Sequence, residues 1–190
     1  MFGGTFDPPH VGHLVTAVNV RHALVLDQVL LVVANQPWQK LGSRPISPAA
    51  DRLAMVEAAV RGMDGLAACD LEIARGGHSF TADTLAELAQ RHPGASLFLV
   101  LGADAATGLP TWERVEEVRA RASLVVVDRP GEPPPVVPDG WDWTHVEVPR
   151  LEVSSTDLRD RVADGRPLDY LLPGAVISCV RERHLYREPT

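Results

Sequence analysis

Two histidines three residues apart close a glycine-rich stretch at the start of the chain, Gly3-Gly4-Thr5-Phe6-Asp7-Pro8-Pro9-His10-Val11-Gly12-His13. These residue types suit a triphosphate. Glycine has no Cβ to keep an anion away from backbone N–H groups, and successive N–H groups in a turn form an anion-binding hollow. Asp7-Pro8-Pro9 stiffens the connection, because each proline has a fixed φ. A helical pattern starts near Gly12, which puts His10 and His13 on one face of a first turn. That turn is the positive end of a helix, a natural place for phosphate. A His-x-x-His pair or a Gly-Gly turn alone would say little. The combination points to phosphate handling.

A second cluster lies far along the chain, in Val153-Ser154-Ser155-Thr156-Asp157-Leu158-Arg159. Hydroxyls at a helix start either cap it or donate to a phosphate oxygen. Arg159 follows Ser155 by four residues and rises on the same helix face, where its planar fork suits bidentate phosphate contact. The competing reading is a capping box with Arg159 paired to Asp160 or Glu152. Gly102 and Asp104 follow a buried apolar run, which places them at the carboxyl edge of a sheet, where ligands of α/β proteins bind. Asp104 could accept from ribose hydroxyls or simply cap the next short helix. Trp112, in Leu109-Pro110-Thr111-Trp112, is expected just inside a helix, where a core role competes with a stacking one. Lys40 sits on a loop and could reach phosphates. His22, His92, His145 and His184 have no constellation around them. There is no Gly-x-Ser-x-Gly nucleophile turn, no zinc-type Cys/His cluster and no Gly-x-Gly-x-x-Gly.

The opening stretch resembles the signature of the nucleotidyltransferase α/β superfamily, His/Thr-x-Gly-His. Within it, Gly-Gly-Thr-Phe-Asp-Pro-x-His is similar to the bacterial nicotinate-nucleotide adenylyltransferases. The segment from Ser154 to Arg159 resembles the Ser-Ser-Thr-x-x-Arg motif that closes over ATP in that family. Leu109 to Trp112 resembles its Pro-Thr-Trp stretch, and His78-Ser79-Phe80-Thr81 its Ser-Tyr-Thr stretch, with Phe80 lacking the tyrosine hydroxyl. The resemblance implies transfer of the adenylyl group of ATP to nicotinate mononucleotide, giving deamido-NAD and pyrophosphate. It implies His10, His13 and Arg159 as catalytic residues. It assigns Gly3, Gly4, Thr5, Phe6, Gly102, Asp104, Ser154, Ser155 and Thr156 to ATP, and Asn35, Lys40, Thr81, Trp112 and Arg129 to the mononucleotide. Mg²⁺ is expected to arrive with ATP, with no dedicated protein metal site. Trp38 and Gln39 depart from the family's usual Pro-His, and Glu132 replaces a frequent tyrosine. The alternatives are nicotinamide mononucleotide or phosphopantetheine as acceptor, or a nucleotide-binding regulator without catalysis.

These residues need a frame to hold them. The chain has 190 residues, 45% of them apolar, enough for one domain with a full core. A formal charge of −7 argues against broad nucleic-acid or anionic-membrane binding. No signal peptide or membrane span is evident, and Cys69 and Cys179 read as buried free thiols, so a cytoplasmic setting is expected. ATP and nicotinate mononucleotide are the partners implied, and a homo-oligomer stays open. Apolar runs at Val29–Ala34, Leu97–Leu101 and Leu124–Val127 read as parallel strands buried on both faces, with a fourth strand at Leu66–Ala74 and a short edge strand at His145–Val148. Helices are expected at Leu14–Leu26, from Ser47-Pro48 to Arg61, and at Thr81–Arg91, Thr111–Arg121, Asp157–Asp164 and Pro173–Arg183. Glu132–Trp141, with four prolines, reads as a surface excursion. The alternation predicts a doubly wound, mostly parallel α/β sheet with helices on both faces and a small C-terminal helical part, and the resemblance implies a Rossmann-like 3-2-1-4-5 order. Only Met1 and Phe2 precede the glycines, so the first strand looks truncated and a few upstream residues are expected.

Overall fold

Strings of β-branched and leucine residues build the centre of the molecule. In the computed structural model, which describes residues 1–37, 45–128 and 135–187, six parallel strands form one sheet in the order β3-β2-β1-β4-β5-β6. The strands are β1 (Phe2–Gly4), β2 (Val29–Val33), β3 (Leu66–Cys69), β4 (Phe98–Gly102), β5 (Ser123–Asp128) and β6 (Trp143–Glu147). Side chains alternate between faces. On β4 and β5, Leu99, Leu101, Leu124 and Val126 belong to one core, and Val100, Val125 and Val127 to another on the opposite side. Both faces are covered, as a parallel sheet requires.

The helices are α1 (Val11–Ala23), α2 (Ala49–Val60), α3 (Leu71–Arg75), α4 (Thr81–Arg91), α5 (Ala103–Thr107), α6 (Val115–Arg119), α7 (Ser155–Asp164) and α8 (Gly174–Glu182). Ala82 and Leu85 of α4, Ala106 of α5 and Val118 of α6 cover one face of β4 and β5, and Val20 of α1 joins the core on the other. The C-terminal helices share the core of α1, β2 and α2, contributing Leu158, Val176, Ile177 and Val180. Strand β1 is short, three residues, yet it lies between β2 and β4, with Phe2 opposite Leu31 on one side and Val100 on the other. The chain winds outward from β1 to β3 in one direction and from β4 to β6 in the other. The crevice at the carboxyl ends of β1 and β4 is therefore the topological switch point.

Several expectations need correcting. The strand from Leu66 stops at Cys69, and Leu71–Arg75 is helical. Leu71 and Glu72 turn inward there, and five residues are too few to display a helical period. The expected helix Thr111–Arg121 shrinks to α6, because Arg114 adopts the left-handed conformation (φ 52°) and Trp112 is extended. Helix α1 starts and ends three residues earlier than expected, stopped by a turn in which Val25 has φ 51°. Pro48, not Ser47, occupies the N-cap of α2, and no side chain caps it. Val137 and Trp141 of the expected surface excursion pack against the core of β4 and β5. No helix among the described residues is long and apolar enough to cross a membrane.

Candidate active site

The glycine-rich stretch leaves the carboxyl end of β1 and folds back over it. Gly4 lies so close to the Phe6 ring that a Cβ would come within 2.8 Å of it. Phe6 itself has φ 50°, a left-handed conformation that costs a non-glycine residue about 1–2 kcal/mol. Burial of its ring offsets that cost: Phe6 is 2% exposed and meets Phe2 and His13 edge-on, at 6.0 and 5.0 Å between ring centres. The Asp7–Pro8 peptide is cis. His10 then caps α1, and its ring stacks on that of His13 at 3.7 Å. The His10 backbone N–H donates to His13 Nδ1 at 3.1 Å. A neutral His13 accepting at Nδ1 carries its proton on Nε2 and is a donor there. Gly12 makes room for this pair, since a Cβ would lie 3.0 Å from His10 Nδ1 and 3.1 Å from Val153.

Helix α7 meets the loop from the far end of the chain. Ser155 Oγ donates to the Pro8 carbonyl (2.9 Å), and Arg159 Nη1 donates to the Asp7 carbonyl (2.8 Å) and Nη2 to Thr156 Oγ1 (3.1 Å). Ser154 caps the helix by accepting from the Asp157 N–H at 3.2 Å. A cavity of about 630 Å³ opens between the loop and the helix, lined by Gly3 to Asp7, His10, His13, Ser154 to Thr156 and Arg159. Imidazoles, hydroxyls and a guanidinium thus face one space. Glu152 takes Arg150 at 2.6 Å.

A second cavity of about 340 Å³ shares Gly3, Gly4 and Thr5 with the first. Its far walls are Ser79, Phe80 and Thr81 at the start of α4 and Trp112 after the tight turn Leu109–Thr111. Arg114 ties these walls together: it pairs with Asp83 at 2.7 Å and lies 6.0 Å above the Phe80 ring. Ser79 Oγ accepts from the Asn35 N–H at 2.8 Å, and Asn35 Nδ2 donates to the Gly77 carbonyl at 2.8 Å. Glu72, 6% exposed, lines the same cavity and accepts from Thr84 Oγ1 at 2.6 Å. Burial pushes its carboxyl above the usual carboxylate range, against the opposing pull of Ser79, Thr84 and Arg75.

With this geometry in view, the relatives can be placed. The cytidylyltransferase-like family model matches residues 1–161. A "Probable nicotinate-nucleotide adenylyltransferase" of Streptomyces coelicolor is 43% identical over 187 residues, covering 97% of this chain and 98% of the relative. Another so named, from Corynebacterium kroppenstedtii, is 41% identical over 189 residues, covering 98% and 89%. The chain belongs to the nicotinate-nucleotide adenylyltransferase family. The family fold extends to distant members. The Plasmodium falciparum nicotinic acid mononucleotide adenylyltransferase, solved with NaAD, superposes with a TM-score of 0.77 at 16% identity, covering 97% of this chain and 95% of that one. Its complex with APC gives 0.75 at 15%, covering 97% and 94%.

The family residues foreseen in the sequence are partly brought together. Gly3, Gly4, Thr5, Phe6, His10, His13, Ser154, Ser155, Thr156 and Arg159 line the larger cavity, and Thr81 and Trp112 the smaller. Asn35 lines neither; its N–H donates to Ser79 Oγ. Gly102 and Asp104 are exposed at the end of β4 and line neither cavity. Lys40 and Arg129, with Trp38 and Glu132, lie outside the described residues. His145 has a partner after all: its Nε2 is 2.6 Å from Asp128 Oδ1.

Three residues had no sequence signal. Arg52, 1% exposed, donates to four backbone carbonyls: Ser47 (2.9 Å), Thr5 (2.9 Å), Ala34 (2.6 Å) and Asn35 (3.0 Å). Tyr186 donates its hydroxyl to Asp7 Oδ1 at 2.7 Å, and burial and the Asp7 charge hold that phenol well above its usual pKa, so it stays a donor. Glu72 is the third. Apolar spacing finds neither a buried cation serving carbonyls nor a tyrosine 179 residues from its partner.

Proposed function

We propose that this chain transfers the adenylyl group of ATP to nicotinate mononucleotide, giving deamido-NAD and pyrophosphate. The observation that carries this reading is the shared floor: two cavities of different character meet at Gly3, Gly4 and Thr5. The larger, polar one suits the triphosphate, and the smaller, with Trp112, Phe80 and Thr81, suits a pyridine ring and its carboxylate. A phosphate oxygen of the mononucleotide attacks the α-phosphorus of ATP in line, and the bond from that phosphorus to the bridging oxygen of the β-phosphate breaks. No covalent enzyme intermediate is needed, since positioning and charge neutralisation suffice. His13 Nε2–H and His10 hold the reacting phosphates, and Ser155, Thr156 and Arg159 grip the departing pyrophosphate. Arg159 is already oriented by the Asp7 carbonyl and Thr156. Among the described residues no group of three or more His, Cys, Asp or Glu could hold a metal ion. Mg²⁺ enters this scheme as part of the ATP substrate.

Pyrophosphate release from ATP and Mg²⁺ is measured with nicotinate mononucleotide, nicotinamide mononucleotide or phosphopantetheine as acceptor. Release fastest with nicotinate mononucleotide is expected. Preference for phosphopantetheine would overturn the roles of Trp112 and Thr81, and no release with any acceptor would overturn the reaction.

A further inference from the structure

Arg52 stands where the two cavities must be held in register. Its guanidinium lies beneath their shared floor and is almost fully buried. One nitrogen, Nη1, bonds both Thr5, which lines both cavities, and Ala34, which lines the smaller one. Nη2 holds Asn35, whose N–H fixes Ser79 in the wall of the smaller cavity. Nε holds Ser47, whose N–H lies 3.4 Å from Asp7 Oδ2, and the Asp7 carbonyl orients Arg159. One rigid, planar group thus ties the ends of β1 and β2 and the approach to α2, and through them both substrate pockets. A planar fork with fixed donor directions suits such a joint far better than a flexible ammonium.

From these contacts we infer that Arg52 is a positioning residue for the transfer step, setting the distance between the two bound substrates without touching either. The inference rests on the two-substrate reading above. Displacement by about 1 Å at a reacting centre costs on the order of a hundredfold in rate. Losing the strut therefore lowers transfer between substrates while each still binds in its own cavity.

The test compares the wild-type chain with Arg52→Met and Arg52→Lys. Folding is followed by circular dichroism, and assays are run well below each melting midpoint. Affinity for a non-hydrolysable ATP analogue and for nicotinate mononucleotide is measured separately by calorimetry, and kcat by pyrophosphate release. The expected result is affinities within about threefold of wild type, with kcat down about a hundredfold in Arg52→Met and partly restored in Arg52→Lys. Unchanged kcat in Arg52→Met overturns the inference, as does a kcat loss matched by lost affinity for either substrate alone. Failure of both variants to fold overturns it too, because Arg52 would then be a folding residue. An inactive wild-type chain would instead sink the functional reading, so the two failures are told apart.

Discussion

His13 is fixed before any substrate arrives. The His10 N–H occupies its Nδ1, its ring is stacked on His10, and Phe6 packs against its edge. Such preorganisation puts a donor in place at no cost during the reaction, and removing one transition-state donor lowers turnover about a hundredfold or more. His13→Ala is therefore expected to lose at least that in kcat, with a far-ultraviolet spectrum like that of wild type. A near-wild-type kcat would remove His13 from the chemistry. The loop that carries His13 was legible because it is local: the glycines, the prolines and both imidazoles fall within eleven consecutive positions. Glu72 was not, since its surroundings come from helix packing. Its folded pKa lies above the unfolded one, so the folded chain keeps the proton longer, and stability is full in acid and falls as pH rises through the carboxylate window. Glu72→Gln retains an acceptor for Thr84 and removes the charge. Melting midpoints measured between about pH 4 and pH 7 should show the variant gaining on wild type as pH rises. A constant difference would disprove that linkage.

At the scale of elements, the walls of the smaller cavity are short pieces rather than full helices. The expected helix from Thr111 to Arg121 fails where Arg114 takes φ 52° to reach Asp83 and Phe80. A helical reading of Thr111 to Arg121 was reasonable from residue types. The interactions that break it come from α4, some thirty residues earlier, where a single sequence gives no sign of them. Arg114→Ala loses both contacts and keeps the strained backbone, whereas Arg114→Gly loses them and relaxes it. The glycine variant should be more stable than the alanine variant by about 1 kcal/mol, read from denaturant unfolding. Both should raise KM for nicotinate mononucleotide and leave KM for ATP near wild type. An equal rise for both substrates would show that the latch does not belong to one cavity. By contrast, β2, β4 and β5 were legible, because strands buried on both faces leave continuous apolar runs.

Across the whole molecule, the chain's two ends close on the same loop. Asp7 is 1% exposed and takes the hydroxyl of Tyr186, while α7 delivers Ser155 and Arg159 to its neighbours. The doubly wound character of the sheet was legible from alternation and its order from the family resemblance; this long-range closure was not, as it joins residues with no shared spacing. Tyr186→Phe leaves a buried carboxylate short of a donor and should cost about 1.5–3 kcal/mol in denaturant unfolding. It should also lower kcat, because the Asp7 carbonyl orients Arg159. A loss below 0.5 kcal/mol, on the order of a surface substitution, would show the contact to be peripheral.

A floor common to both hollows also bears on inhibition. A single compound long enough to lie across Gly3, Gly4 and Thr5 would fill both sides for one loss of overall motion. Tethering fragments that bind weakly on either side can raise avidity about 10²–10⁴-fold, provided the linker spans the gap without strain. Gly3, Gly4 and Thr5, common to both linings, are where such a linker would pass.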